Sequence, residues 1–334
     1  MKMNQRIIKH FIFLLLLIAS AACQPDQLQT STVDIPRVHI RLPMGYIPSV
    51  QYAPFYVAHS RGYFEQAGID LEFDYQFETD GVALVGANDL QFALVSGEQV
   101  LLARNQGLPV VYVFAWWQDY PVAVASFTEQ GIRKPADLAG KKIGLPGLFG
   151  ANYVGLRALL DVAGLSESDV QLDSIGFTQV DALIAGVDDS VAIYANNEPI
   201  QLKNQGYSVD VIRVADYVDL ASNGLLTNEI TIKENPELVE RMVGAILKGL
   251  ADTMADPDAA FEICKKYIEV WDQENEALYK EILLASMEFW KSDQPGISQP
   301  QTWENMQKVL LEMGWLAKPL DLNQAYTNRF VPGN

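Results

Sequence analysis

The chain has 334 residues, 49% of them hydrophobic, with 42 acidic against 24 basic side chains and a formal charge of −18. A surface this acidic repels polyanions, which sets nucleic acid and anionic lipid headgroups aside as partners. With two cysteines in all, no framework of disulfides can staple the fold.

Residues 1–22 read as a targeting segment. Lys2, Arg6 and Lys9 form a basic head, and "FIFLLLLIAS" (11–20) is an apolar run of signal-peptide length. It is too short to cross a bilayer as a helix. The small-residue run "SAAC" ending at Cys23 resembles the bacterial lipoprotein lipobox, with Ser20 where that motif usually has leucine. The resemblance implies cleavage before Cys23, lipidation of its thiol, and an extracytoplasmic protein anchored to the membrane by that lipid. An ordinary signal peptide cut elsewhere is the alternative. Processing removes three basic residues and no acidic one, taking the charge from −18 to −21. The other cysteine, Cys264, sits in the helical pattern "AFEICKKYI" and reads as a small core residue. Residues 23–37 are polar, proline-bounded and unpatterned, as a tether should be.

The 312 residues left after processing exceed a single core and suggest two lobes. Strand patterns follow at "HIRLPMGYIPS" (39–49), "IDLEFDYQF" (69–77) and "LPVVYVFAWW" (108–117), with a helix between the first two at 54–68. A second set reads as strands at 141–147, 170–177 and 209–214, with a helix at 152–165. "KPADLAG" (134–140) is a proline-started turn introducing it. Strand–helix alternation of this kind implies parallel sheets with helices on both faces. From residue 227 onward the pattern is helical, and Trp271, Trp290, Trp303 and Trp315 read as packing this C-terminus onto the first lobe. The expected lobes are then 38–118 with 222–334, and 119–221, the chain crossing near 118–126 and near 214–225.

Residues 77–107 and 177–206 echo one another. At an offset of 100, Phe77 meets Phe177, Gly86 meets Gly186, Asp89 meets Asp189 and Glu98 meets Glu198; "NQG" closes both copies. Each reads helix, turn, short strand, polar loop, helix, the same element used once per lobe. Shared α/β grammar is the alternative.

Open α/β sheets bind ligands outside the carboxyl ends of their strands. In the first lobe that rule selects Tyr46, Ser49, Tyr52, Glu78 to Asp80, Ser96 to Gln99, and the pair Trp116–Trp117. In the second it selects 146–153, Phe177 to Gln179 and "YANNEP" (194–199). Neighbouring strand side chains point to opposite faces, so one of Trp116 and Trp117 is expected in the core and the other in the cleft.

The blocks "GYIPSVQYAPFYVAHSRGYFEQAGIDLEF", "DLQFALVSGEQVLLARNQGLPVVYV" and "KPADLAGKKIGLPG" are similar to ABC-transporter substrate-binding proteins of the thiamine-pyrimidine-precursor and nitrate/sulfonate/taurine superfamily. The resemblance spans roughly residues 38–260. It implies an α/β, type II periplasmic-binding-protein fold with two lobes, a hinge and an interlobe cleft. It also implies a monomer that hands its ligand to a permease driven by an ATPase. The pyrimidine binders carry Asp-Trp-x-Pro-Asn-x-x-His after the first strand; here Gly45, Tyr46, Ser49 and Tyr52 stand at the Asp, Trp, Asn and His positions. The "GYIP…QYAPFYVA" and "GFTQV…YANNEP" blocks instead look like the riboflavin-binding branch.

The chemistry of the selected loops agrees. Tyr46, Tyr52, Trp116, Trp117, Phe149, Tyr153 and Tyr194 offer faces for a flat ring. Gln99, Asn152, Asn196 and Asn197 offer paired donors and acceptors for a carbonyl/NH edge. Ser96, Thr79 and Glu198 can bind hydroxyls, with Ser49 and Asp80 beside them. No Arg or Lys occurs in these loops, whereas a sulfonate or nitrate site wants a cation or an oxyanion nest. The "GLFGANY" turn (147–153) can still cradle an anion through backbone N–H groups, but its spacing is not a dinucleotide fingerprint and a lone glycine-rich turn is a weak signal. A neutral flat heteroaromatic ligand is therefore expected, riboflavin first, as cargo rather than cofactor, with a formylaminopyrimidine-type ligand second. No metal motif, Cys-x-x-Cys, G-x-S-x-G or phosphate loop is present. One enzyme of this fold, a pyrimidine synthase, spends its own histidine, and Tyr52 occupies that position here. An enzyme is not expected.

Overall fold

The structure, a computed structural model, describes residues 37–333. The targeting segment, Cys23 and the tether before Arg37 lie outside the described residues. Strand β1 (Val38–Gly45) buries Ile40, Leu42 and Met44 and leaves His39 outside. It pairs in parallel with β2 (Ile69–Phe77), Val38 opposite Ile69. Between them Ser49 caps a 3-10 turn at Val50–Tyr52, and α1 (Ala53–Ser60) carries Pro54 in its first turn. The single helix expected over 54–68 is two. Gly62, at φ 72°, takes the left-handed conformation that breaks α1 from α2 (Tyr63–Gln66). Then follow α3 (Glu78–Gly86), β3 (Ala93–Val95), α4 (Gly97–Asn105) and β4 (Val110–Ala115).

The chain next builds β5 (Val122–Phe127), β6 (Lys142–Leu145), α5 (Gly150–Val162), β7 (Gln171–Ser174), α6 (Gln179–Ile184), β8 (Ser190–Tyr194), α7 (Glu198–Asn204) and β9 (Val209–Arg213). It returns through β10 (Gly224–Asn228) to α8 (Glu229–Glu234), α9 (Pro236–Ala255), α10 (Pro257–Cys264), α11 (Glu276–Trp290), α12 (Pro300–Glu312) and α13 (Leu322–Ala325). The sheets run β1-β2, β3-β10-β4 and β7-β6-β8-β5-β9. The echo is structural: α3–β3–α4 and α6–β8–α7 are both helix, strand, helix.

The two larger sheets are mixed rather than parallel, because β5 and β10 run against their neighbours. Both lie in segments whose sequence reads as crossing or helical. The reason is geometric. A strand that ends at the cleft delivers the chain across it, so the next strand must start at the cleft and run away. Val122, the first residue of β5, accordingly faces Tyr194, the last of β8. Gly224, the first of β10, faces both Val95 and Ala115, the ends of β3 and β4.

Helix α9 buries Leu238, Val239, Met242, Val243, Ile246 and Leu250 at three- and four-residue spacing. It lies so close on α1 that a Cβ at Gly249 would sit 2.1 Å from the Pro54 carbonyl oxygen. Trp290 and Trp303 are buried with first-lobe residues, Trp303 stacked on Tyr326 and edge-on to Tyr112. Trp271 packs on Phe261 and Tyr279. Trp315 departs from the expectation by stacking on Tyr153 of α5 at 5.3 Å, so the C-terminus touches both lobes. Cys264 is fully buried, and burial pushes its thiol up to about 12, as befits a core residue. Among the described residues no helix is long and apolar enough to cross a membrane.

Candidate functional site

An open cleft of about 980 Å³ lies where the strands of both lobes end. Its back wall is a row of rings spanning the lobes. Tyr52 stacks on Trp116 (5.4 Å, 28°), Trp116 meets Trp117 edge-on (5.5 Å, 68°), and Trp117 meets Tyr194 (5.8 Å, 74°). The strand alternation expected of the two tryptophans does not apply, since β4 stops at Ala115 and both lie in the bend beyond it. Both are 3% exposed and both line the cleft. A second row crosses the mouth: Tyr46 against Phe177 (4.9 Å, 84°), Phe177 stacked on Phe77 (5.9 Å, 23°), Phe77 edge-on to Phe149 (6.1 Å, 80°). Phe77 and Phe177, the first pair of the sequence echo, thus meet face to face across the gap. Three rings of this row, Phe77, Phe149 and Phe177, are 50%, 47% and 42% exposed.

Polar groups share the lining. Gln51, Gln99, Asn152, Gln179, Asn197 and Asn223 line the cleft with amides, while Thr79 sits exposed at its edge. Two buried polar atoms here, Trp116 Nε1 and Asn152 Oδ1, have no hydrogen-bond partner in the protein. Such atoms are costly to leave unpaired and mark where a ligand's acceptor and donor belong. Asn223, from the second crossing, donates to Glu78 Oε1 (3.2 Å), accepts from the Tyr194 hydroxyl (3.2 Å), and through its carbonyl accepts from Trp117 N (2.9 Å). It ties the tryptophan bend to both lobes.

The cleft is acidic but its charge is masked. Glu198 accepts from Tyr194 N at 3.0 Å and from Asn197 at 3.2 Å, and burial lifts it to about 7. Glu78 accepts from Ser96 N (2.9 Å) and from the Ser96 hydroxyl (2.5 Å), which also reaches Glu98. Burial, then the nearby Glu78, pushes Glu98 up to about 8; burial also raises Glu78. Among the described residues, no Lys, Arg or His lines the cleft.

Of the residues selected from sequence, Tyr46, Tyr52, Thr79, Gln99, Trp116 and Trp117 line the cleft, as do Phe149, Asn152, Tyr194, Asn197 and Glu198. Five do not. Ser49 is occupied as the cap of the turn at Gln51. Asp80 is exposed on α3. Ser96 is fully buried beneath the cleft between the two glutamates. Tyr153, one residue past Asn152 on α5, turns away to donate to Glu167 at 2.6 Å. Asn196 donates to Gln51 (2.9 Å) and Ser286 (2.8 Å), joining its loop to the first lobe. Glu78, Phe177 and Gln179 belong to loops that the strand-end rule selects, yet the sequence assigns them no contact. Gln51 and Asn223 carry no such signal, because a turn and a crossing set their positions.

Residues 49–260 match the family model described as NMT1/THI5 like, well over half of the chain. The chain belongs to the NMT1/THI5-like family. Among relatives of this NMT1/THI5-like chain, the riboflavin-binding protein RibY of Chloroflexus aurantiacus is 40% identical over 88% of this chain and 86% of its own length. The formylaminopyrimidine-binding protein of Halalkalibacterium halodurans is 27% identical, covering 96% of this chain and 99% of that protein. The alkanesulfonate-binding protein SsuA of Xanthomonas axonopodis superposes with a TM-score of 0.69 at 15% identity, over 88% of this chain and 99% of that one. At that identity the likeness concerns the fold, which is the two-lobed periplasmic-binding-protein fold.

Proposed function

We propose that this chain is the extracytoplasmic solute-binding protein of an ABC importer, with riboflavin as its ligand. The observation that carries the reading is the cleft itself, lined by two rows of rings and by amides, with no cation among the described residues that line it. A tricyclic ring can lie along the tryptophan row, its uracil-like edge facing amides and its ribityl chain meeting Thr79 and the glutamates. The 40% identity to a riboflavin-binding protein supports the same ligand.

A formylaminopyrimidine is the second reading, favoured by the 27% relative. It needs fewer rings than the cleft provides, and Tyr46, Ser49 and Tyr52 replace that branch's Trp, Asn and His. The Tyr52 hydroxyl is engaged, donating to the Met44 carbonyl at 2.6 Å. A tyrosine held there cannot serve as the histidine that the family's synthases spend, and an enzymatic role is set aside on that ground. Cleavage before Cys23, a lipid on its thiol and docking on a permease complete the proposal. Ligand docks on one lobe, the other closes, and the closed form meets the permease.

Tryptophan-fluorescence titration with riboflavin, formylaminopyrimidine and taurine tests the reading, since Trp116 and Trp117 line the cleft. Quenching by riboflavin alone, or a yellow protein on purification, is the expected result. Binding of taurine in preference to riboflavin would sink it.

A further inference from the structure

Three helices of nine or more residues start at the cleft, α3, α4 and α5, because the strands before them end there. A helix start is an anion site by default, through its unpaired N–H groups and its partial positive charge. Two of the three bring their own anion: Glu78 lies in the first turn of α3 and Glu98 in that of α4. A third carboxyl, Glu198, lines the opposite wall with Glu78. Only α5 begins with neither an acidic residue in its first turn nor a side-chain cap.

We propose that the cleft selects unphosphorylated ligands over their phosphate esters, and that Glu78 and Glu198 determine this selection. The inference rests on the reading of the cleft as a flavin site. A phosphate ester placed here would face two lining carboxyls, Glu78 and Glu198, and among the described residues no Lys, Arg or His lines the cleft to balance it. The half-charge at the start of α5 favours an anion, and the two carboxyls outweigh it. For the neutral ligand the same α5 start is an asset, since its N–H groups suit a ring carbonyl. Where the source is phosphorylated, a phosphomonoester-hydrolysing reaction that breaks the P–O bond with water and releases inorganic phosphate must therefore precede capture.

The test compares dissociation constants of the purified protein for riboflavin and riboflavin 5′-phosphate. The phosphate ester should bind about 100-fold more weakly, as like-charge juxtaposition in a site demands. Glu198→Gln should narrow that ratio about tenfold, as should Thr79→Lys, which adds a cation at an exposed position and leaves the core untouched. Equal or tighter binding of the ester, unmoved by either substitution, would overturn the proposal and put the phosphate on the start of α5. A protein that bound neither flavin would overturn the functional reading and this inference with it.

Discussion

Ser96 has one hydroxyl proton and two glutamates within reach, Glu78 and Glu98. Both carboxyls can be satisfied only if one of them carries a proton and donates it back to the serine. Glu98 is the one held protonated, lifted from 4.5 to about 8 by burial and by Glu78. The folded chain therefore binds a proton that the unfolded chain releases between pH 4.5 and pH 8. Stability falls as pH rises through that window, by about 1.4 kcal/mol per pH unit for one such group. Glu198, lifted to about 7, acts in the same direction. Glu98→Gln, which keeps the shape and needs no proton, should flatten the fall in melting temperature between about pH 4.5 and about pH 8. Parallel curves for variant and parent between pH 5 and 9 would contradict the assignment.

Among elements, the contact of α1 with α9 shows how a helix residue can serve its neighbour rather than its own helix. Gly249 lies in the interior of α9, where alanine normally stabilises by about 1 kcal/mol. Here the added methyl would meet the Pro54 carbonyl oxygen at 2.1 Å and the Ala58 Cβ at 2.7 Å. Gly249→Ala is expected to destabilise by about 1–3 kcal/mol, the cost of overpacking, as read from chemical denaturation. An unchanged or raised midpoint would show that the two helices can separate freely. The same scale accounts for the missed strands. "VAVASF" and "GLLTN" are short and follow crossings, so periodicity alone cannot tell a strand from a link.

At the scale of the whole molecule, closure is the mechanism proposed, and the ring row at the mouth gives it a latch. Phe77 contacts Phe177 and Phe149 from the opposite lobe while half exposed. Aromatic pairs contribute about 0.5–1.5 kcal/mol each, so Phe77→Ala should raise the ligand dissociation rate roughly tenfold. Its melting temperature should stay close to that of the parent, as expected for a half-exposed surface residue. Stopped-flow displacement measures the rate, and an unaltered rate would remove the latch from the mechanism.

What the sequence determined by itself was periodic or chemical. Alternation gave β1 and β2, the echo gave the repeated helix–strand–helix unit, and strand ends gave most of the aromatic and amide residues that line the cleft. These follow from local rules, because a side chain's face is fixed by its position along a strand or helix. Tertiary structure decided the rest. It placed Trp116 and Trp117 together beyond the end of β4, turned Tyr153 away from Asn152, and hid Ser96 beneath the wall it was expected to line. It also brought Gln51 and Asn223 to the cleft. Positions set by where a strand stops, or by how two lobes meet, depend on contacts distant in the chain, and no local period encodes those.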